Sequence, residues 1–266
     1  METKPRTSKY ICIWCNLKEA DADSHVVPNA FRKKLWGVEP RNGKTFSFKY
    51  LDRTDLPNQD FPKPHLMCKG CDSNLGGTVE KNIPRLIIPK SMNAESWDKL
   101  PIYNSLVGTF DGEEVSFPAY DYGEPEATEV DRFVVLVAWR ALHAEAISPK
   151  DSTMLVAFME SPSWIRLDQS ARKFIAGGAL RDCGGVARPD LWRLDPEMVA
   201  GISKDSEELP ISWGVIGESK VEAVMVLFGF WLVFWRVNFD EPLSDKTRIV
   251  LAWLGFLRKH YAKMNA

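Results

Sequence analysis

Four of the five cysteines stand in two closely spaced pairs, Cys12-Ile-Trp-Cys15 and Cys68-Lys-Gly-Cys71. A two-residue spacer lets one tight turn present two sulfur atoms to the same ion, and zinc takes four sulfur or nitrogen ligands in a tetrahedral arrangement. We therefore predict one structural Zn²⁺ bound by Cys12, Cys15, Cys68 and Cys71. The alternative is a set of redox-active or incidental thiols.

One histidine, His25, lies between the two cysteine pairs, in the string Ser24-His-Val-Val-Pro28. Hydrolysis of a phosphodiester needs a base that deprotonates water, and a divalent cation can offset the charge that develops on the phosphate. Histidine suits the role of the base because its unperturbed pKa lies near working pH. The alternative for His25 is a structural histidine beside the zinc, or a spare ligand.

The order of these motifs resembles the HNH, or ββα-metal, nucleases in their zinc-braced form. The resemblance covers about residues 10–85 and rests on Cys12-x-x-Cys15, Ser24-His25-Val26-Val27-Pro28, Cys68-x-x-Cys71 and Glu80. A helix with an internal Trp-Arg pair follows the nuclease module in similar bacterial proteins, and Trp139-Arg140 fits that pattern.

The resemblance implies a metal-dependent endonuclease that hydrolyses DNA. It implies that His25 is the general base, that the zinc is structural, and that a separate Mg²⁺ or Mn²⁺ is the catalytic ion. Glu80 would be a ligand of that ion, and Asn58 would fix the strand that carries the base. Stand-alone bacterial proteins of this kind often serve in defence against phage or mobile DNA, so the resemblance also implies that setting.

The chain departs from the family pattern at two places. Ser24 stands where many members carry a carboxylate ligand, and Asp23 is one step removed. The final histidine of the motif has no counterpart: its candidates after the second cysteine pair are Asp72, Asn74 and Glu80, of which Glu80 best suits a ligand on a facing helix. These departures favour a second interpretation, a zinc-binding nucleic-acid or protein adaptor without catalysis.

Charge is distributed unevenly along the chain. Residues 1–90 carry 16 Lys and Arg against 10 Asp and Glu, whereas residues 91–266 carry 18 against 26. A basic N-terminal part suits a polyanionic partner such as DNA, and the alternative is ordinary solubilising charge. The longest apolar run, 223–235, has 13 residues, too short to cross a bilayer, and residues 1–10 lack an apolar leader segment. We expect a cytoplasmic protein without a membrane partner.

The periodicity of apolar residues predicts an α+β protein. The resemblance implies that residues 1–90 form a zinc-bound ββα-metal, treble-clef-like module. The apolar patterns predict a mixed α+β C-terminal domain at 91–266, and we expect this domain to sense a trigger, bind a protein partner or form a homo-oligomer. The predicted helices span 30–36, 72–80, 129–147, a segment from 163 to just before 177, and 245–262. The predicted strands span 10–15, 45–51, 213–217 and 222–238, the last turning near Gly229.

Overall fold

The protein is described here from a computed structural model. The described residues are 10–28, 31, 46–47, 57–58, 64–88, 99–110, 113–121, 126–147, 153–184, 186–194, 211–237, 242–245, 247–248 and 251. The predicted helices at 30–36 and 245–262 lie mostly outside these ranges.

The described residues of the N-terminal part form a cysteine turn, a minimal strand pair and a run of short helices. Strands β1 (Phe46–Ser47) and β2 (Pro57–Asn58) pair antiparallel. Helix α1 (Lys69–Leu75) continues directly into a π-helical turn at Gly76–Glu80, and helix α2 (Ile83–Ile87) follows. The predicted helix at 72–80 is therefore confirmed. The predicted strand at 10–15 is reduced to one bridge between Ile11 and Glu19, because the chain turns at 13–15.

Helix α3 (Ala127–Ala146) is the central element of the molecule, and its position matches the predicted helix at 129–147. Buried side chains occur on every side of it, as expected for a helix enclosed by other elements. Helix α4 (Thr153–Met159) precedes helix α5 (Pro162–Ile175), which packs against α3. The Ser161 hydroxyl caps α5 by accepting a hydrogen bond from the Trp164 amide at 3.2 Å.

Six strands of the described chain form one antiparallel sheet. They are β3 (Ile102–Phe110), β4 (Glu113–Tyr120), β5 (Asp190–Arg193), β6 (Ile211–Ile216), β7 (Ala223–Phe228) and β8 (Trp231–Arg236), in the spatial order β3-β4-β5-β8-β7-β6. The predicted turn near Gly229 is confirmed: Gly229, with φ of 62°, and Phe230 join β7 to β8. Glycine is favoured at such a positive φ in a tight hairpin.

Both faces of the β7–β8 hairpin are buried, which explains why its sequence is almost continuously apolar. Successive side chains of a strand point to opposite faces. Val226 and Val233 belong to the core cluster shared with α3, whereas Leu227 and Phe234 belong to a second cluster. Leu251 covers part of this second face.

The core on the α3 side also includes the N-terminal part of the chain. Phe31 stacks on Phe133 of α3 with ring centroids 5.1 Å apart, and it meets Phe228 of β7 edge-on at 5.3 Å. The chain segment that follows His25 is thereby attached to the helix and to the sheet. Within the described residues, no helix has both the length and the apolar character that crossing a membrane would require.

Candidate metal centre and adjoining cleft

The four paired cysteines come together as the sequence predicts. The sulfur atoms of Cys12, Cys15, Cys68 and Cys71 all lie within 4.8 Å of one another. Tetrahedral zinc with bonds of about 2.3 Å needs sulfur atoms about 3.8 Å apart, so small side-chain adjustments suffice. Among the described residues, this is the one group of three or more His, Cys, Asp or Glu side chains close enough to hold a metal ion. The donor set fits zinc.

The first cysteine turn favours the thiolate form of Cys15, whereas burial, together with the other three cysteines, raises the pKa of Cys71. Asn16 closes the turn at φ of 56°, a conformation that asparagine tolerates, and its amide donates to the Cys12 carbonyl at 2.9 Å. The backbone N–H of Leu17, aided by that of Lys18, lowers the pKa of Cys15 to about 6. A thiolate that is already favoured requires little further deprotonation when the metal binds.

Backbone hydrogen bonds join the two cysteine turns. The Ile13 amide donates to the Leu66 carbonyl at 2.9 Å, and the Ala22 amide donates to the Met67 carbonyl at 2.9 Å. The Asp21 carboxylate accepts from the Lys69 amide at 2.9 Å, so it caps the first turn of α1. These bonds fix where α1 begins relative to the metal centre.

A cleft of about 230 Å³ lies where α1 and the segment after the first cysteine turn meet α3. It is lined by His25, Pro28, Asp72, Gly76, Glu80, Lys81 and Arg140. Asp72, Gly76 and Glu80 follow one another at four-residue intervals, and in an α-helix each interval would rotate the side chain by about 40°. The wider π-helical turn at Gly76–Glu80 opposes this rotation, which keeps Glu80 on the cleft side with Asp72.

Arg140 connects the acidic side chains of the cleft to the backbone of His25. Its Nη1 donates to Glu80 Oε1 at 2.5 Å and to the His25 carbonyl at 3.2 Å. Its Nη2 lies 3.4 Å from Asp72 Oδ1. Only 2 % of the Arg140 side chain is exposed. One buried guanidinium from α3 therefore holds three groups of the N-terminal part.

Burial and charge act in opposite directions on Glu80. Burial raises the pKa of this carboxyl, and the Arg140 guanidinium opposes the rise, while the nearby Asp72 carboxylate adds to it. Arg140 binds one oxygen of each carboxylate. Oxygen atoms of Asp72 and Glu80 are the hard donors that Mg²⁺ and Mn²⁺ prefer, and such ions need only one or two carboxylates besides water and phosphate. A cation bound by these two carboxylates would share them with the Arg140 guanidinium.

The cleft includes two of the three predicted catalytic residues, His25 and Glu80. Asn58 lies in β2, where it pairs with Phe46, and its catalytic role stays a prediction. Ser24 is fully buried, and Asp23 lies 3.7 Å from His65 Nε2. Neither Ser24 nor Asp23 is among the residues that line the cleft.

Two further residues of the cleft had weaker signals in the sequence. Asp72 is one of three candidates that follow the second cysteine pair, and Arg140 belongs both to the Trp-Arg pair and to the helical spacing of the predicted helix at 129–147. Arg140 could have been found from its position: it is a charged residue at helical spacing from the apolar Phe133 and Leu136, on the face of the longest predicted helix that should be buried. A buried charge requires a partner, but the sequence does not say which one.

A second polar cluster, defined by Asp168, Arg172, Trp139 and His143, braces the metal centre against the helices. Asp168 of α5 accepts from Trp139 Nε1 at 2.7 Å and from Arg172 Nε at 2.8 Å. Arg172 Nη1 donates to the carbonyl of Trp14, inside the first cysteine pair, at 2.7 Å. The Trp14 and Trp139 rings meet edge-on at 5.7 Å. The first cysteine turn is therefore attached to both α3 and α5.

Comparisons of this chain with protein-family models, with curated proteins and with solved structures find no match.

Proposed function

We propose that this chain is a metal-dependent, HNH-like endonuclease that hydrolyses DNA phosphodiesters, with His25 as the general base. The observation that carries the proposal is the cleft beside the cysteine centre, in which a histidine, two carboxylates and two basic side chains converge. Each of these residue types has a task in phosphodiester hydrolysis. Defence against phage or mobile DNA is the biological setting that belongs to this proposal.

In the proposed reaction His25 accepts a proton from the attacking water. The hydrogen bond from Arg140 to the His25 carbonyl and the burial of the adjacent Val26 hold the backbone of the base in place. Lys81 is exposed at the cleft, where its ammonium group would neutralise the phosphate of the bound strand. Asp72 and Glu80 would hold Mg²⁺ or Mn²⁺, which supplies positive charge against the charge that develops on the phosphate.

The first prediction tests this role of His25. The enzyme should nick plasmid DNA with Mg²⁺ or Mn²⁺, and EDTA should abolish the nicking. His25→Ala should lower the rate by about 10²–10⁴, the usual contribution of a general base. The two proteins are compared at matched zinc content with Mn²⁺ in excess, so that loss of the cysteine centre cannot mimic loss of the base. Equal rates in the two proteins would assign the nicking to another base or to a contaminant.

The second candidate function is a zinc-binding nucleic-acid or protein adaptor without catalysis. Two observations favour it: Arg140 already neutralises carboxylates of the cleft, and Ser24 is buried rather than available as a ligand. An adaptor would bind DNA tightly and lose affinity steeply with salt, without cutting. Salt-dependent binding by both wild type and His25→Ala, with no nicking by either, would establish this function instead.

A further inference from the structure

Arg140 is the one residue of the cleft that comes from α3, and it contacts both carboxylates. The distances are 2.5 Å to Glu80 Oε1 and 3.4 Å to Asp72 Oδ1. Because its side chain is 2 % exposed, the guanidinium does not reach out to a substrate. It acts through the groups that it holds.

Two effects follow from this geometry. The planar, multidentate guanidinium fixes the directions of several acceptors at once, which a lysine ammonium on a flexible stem does not reproduce. The same guanidinium also places a full positive charge against the two carboxylates that would bind a cation. Inside a protein, where the effective dielectric constant is well below that of water, such a charge strongly repels a divalent ion.

We propose that Arg140 is a positioning residue with a second effect on the cation. It fixes Asp72, Glu80 and the carbonyl of His25 in one arrangement, and as a resident counter-charge it keeps the affinity of the two carboxylates for a divalent cation low. The inference rests on the proposed function for its effect on DNA cleavage. Its effect on cation binding is measurable whether or not the protein cuts DNA.

The experiment measures Mn²⁺ binding to the zinc-loaded full chain by electron paramagnetic resonance, with Mn²⁺ alone as the probe. Arg140→Met removes the charge and keeps much of the volume, and Arg140→Gln removes the charge but retains an amide donor for Glu80. Both should bind Mn²⁺ about tenfold or more tightly than wild type, because the repelling charge is gone. Adding Glu80→Gln should abolish this gain, which places the ion at the cleft. Zinc content and circular dichroism identify the folded variants, and Arg140→Gln decides if Arg140→Met does not fold.

Arg140→Lys separates charge from geometry. It should leave Mn²⁺ affinity within about twofold of wild type because the charge remains, yet lower the nicking rate because one ammonium cannot hold three acceptors. Arg132→Met is the matched control: Arg132 lies on the same helix and donates to the Gly177 carbonyl at 2.9 Å, away from the cleft. It should change neither quantity.

The Mn²⁺ affinities test the role of Arg140, and the nicking assay tests the nuclease function, so the two proposals can fail separately. Unchanged or weaker Mn²⁺ binding by folded Arg140→Met or Arg140→Gln would overturn the inference, and so would equal tightening in Arg132→Met. If wild type cuts no DNA under any condition, the proposed function fails. The Mn²⁺ affinities of the same variants then still confirm or overturn the role of Arg140.

Discussion

Ser24 precedes the proposed base but faces the interior of the protein. Its side chain is fully buried, and its Oγ has no hydrogen-bond partner among the described residues. A buried hydroxyl without a partner loses its hydration and gains nothing in return. A cation at the cleft would therefore have no ligand at this position, and we expect the unpaired hydroxyl to destabilise the fold.

We expect Ser24→Ala to raise the free energy of unfolding by about 1 kcal/mol, because alanine removes the unpaired hydroxyl and leaves almost the same volume. Chemical denaturation of the zinc-loaded protein measures the change. The matched control is Ser170→Ala, since the Ser170 hydroxyl donates to the Gly184 carbonyl at 2.7 Å. That variant should lose stability by about 1 kcal/mol. A loss in Ser24→Ala as well would mean that its hydroxyl has a partner after all.

The contact between helices α3 and α5 places a titratable group in an aromatic environment. His143 of α3 meets the ring of Trp139 at 4.6 Å and that of Trp164 at 5.3 Å, and its Nε2 lies 3.5 Å from Asp168 Oδ1. Burial lowers the pKa of His143 below its ordinary 6.5, and the neighbouring Asp168 opposes this shift only in part. The nearby Arg172 lowers the pKa further.

This shift predicts how stability depends on pH. As the pH falls below about 6.5, the unfolded chain protonates this histidine more readily than the folded protein does, so the unfolded state binds more protons. The free energy of unfolding should therefore fall as pH decreases below 6.5, and His143→Gln should show a smaller fall. Denaturation curves of both proteins between pH 7.5 and about 5 measure the difference. All other groups are the same in both proteins, so parallel curves would contradict the shift.

At the scale of the whole molecule, short sequence patterns predict the helices, because the backbone hydrogen bonds of a helix join residues that are near in sequence. Helices α3 and α5 carry apolar residues at helical spacing and end near Pro149 and Gly177, and both lie where they were predicted. The β3–β4 hairpin was not predicted. Pro101 and Pro118 flank or interrupt its strands, and prolines at such positions disfavour a strand in a sequence pattern.

In the candidate site, too, the features set by neighbouring residues were predictable from the sequence, and the contacts between distant residues were not. The cysteine spacing and the position of His25 are local signals, and both residue sets lie at the site. The pairing of Arg140 with Glu80 joins residues 60 positions apart, and no spacing rule connects them. Such a contact follows from how α3 packs on the π-helical turn, and this packing forms only in the folded protein.

The predicted division at residues 1–90 and 91–266 stays a prediction, but one core cluster contains residues from both ranges, including Phe31 and Phe133. Zinc binding stabilises the folded state of the part that supplies its ligands. We therefore expect a strong zinc chelator to lower the unfolding temperature of the entire chain in one cooperative transition. Differential scanning calorimetry measures this, and adding zinc back should restore the original midpoint. A second transition that the chelator leaves unchanged would show that the C-terminal range is an independent domain.

The origin of Arg140 in α3 limits how far the N-terminal part can be treated as an exchangeable module. A fragment ending at residue 90 would retain the four cysteines, His25 and Glu80, but it would lose the guanidinium that joins Glu80 to the backbone of His25. It would also expose Phe31, whose ring partners lie in α3 and β7. A chimera that grafts this cleft onto another protein therefore has to include α3. Gene fusions or truncations that separate α3 from the N-terminal part would keep the cysteines and His25 but lose the arrangement that Arg140 fixes.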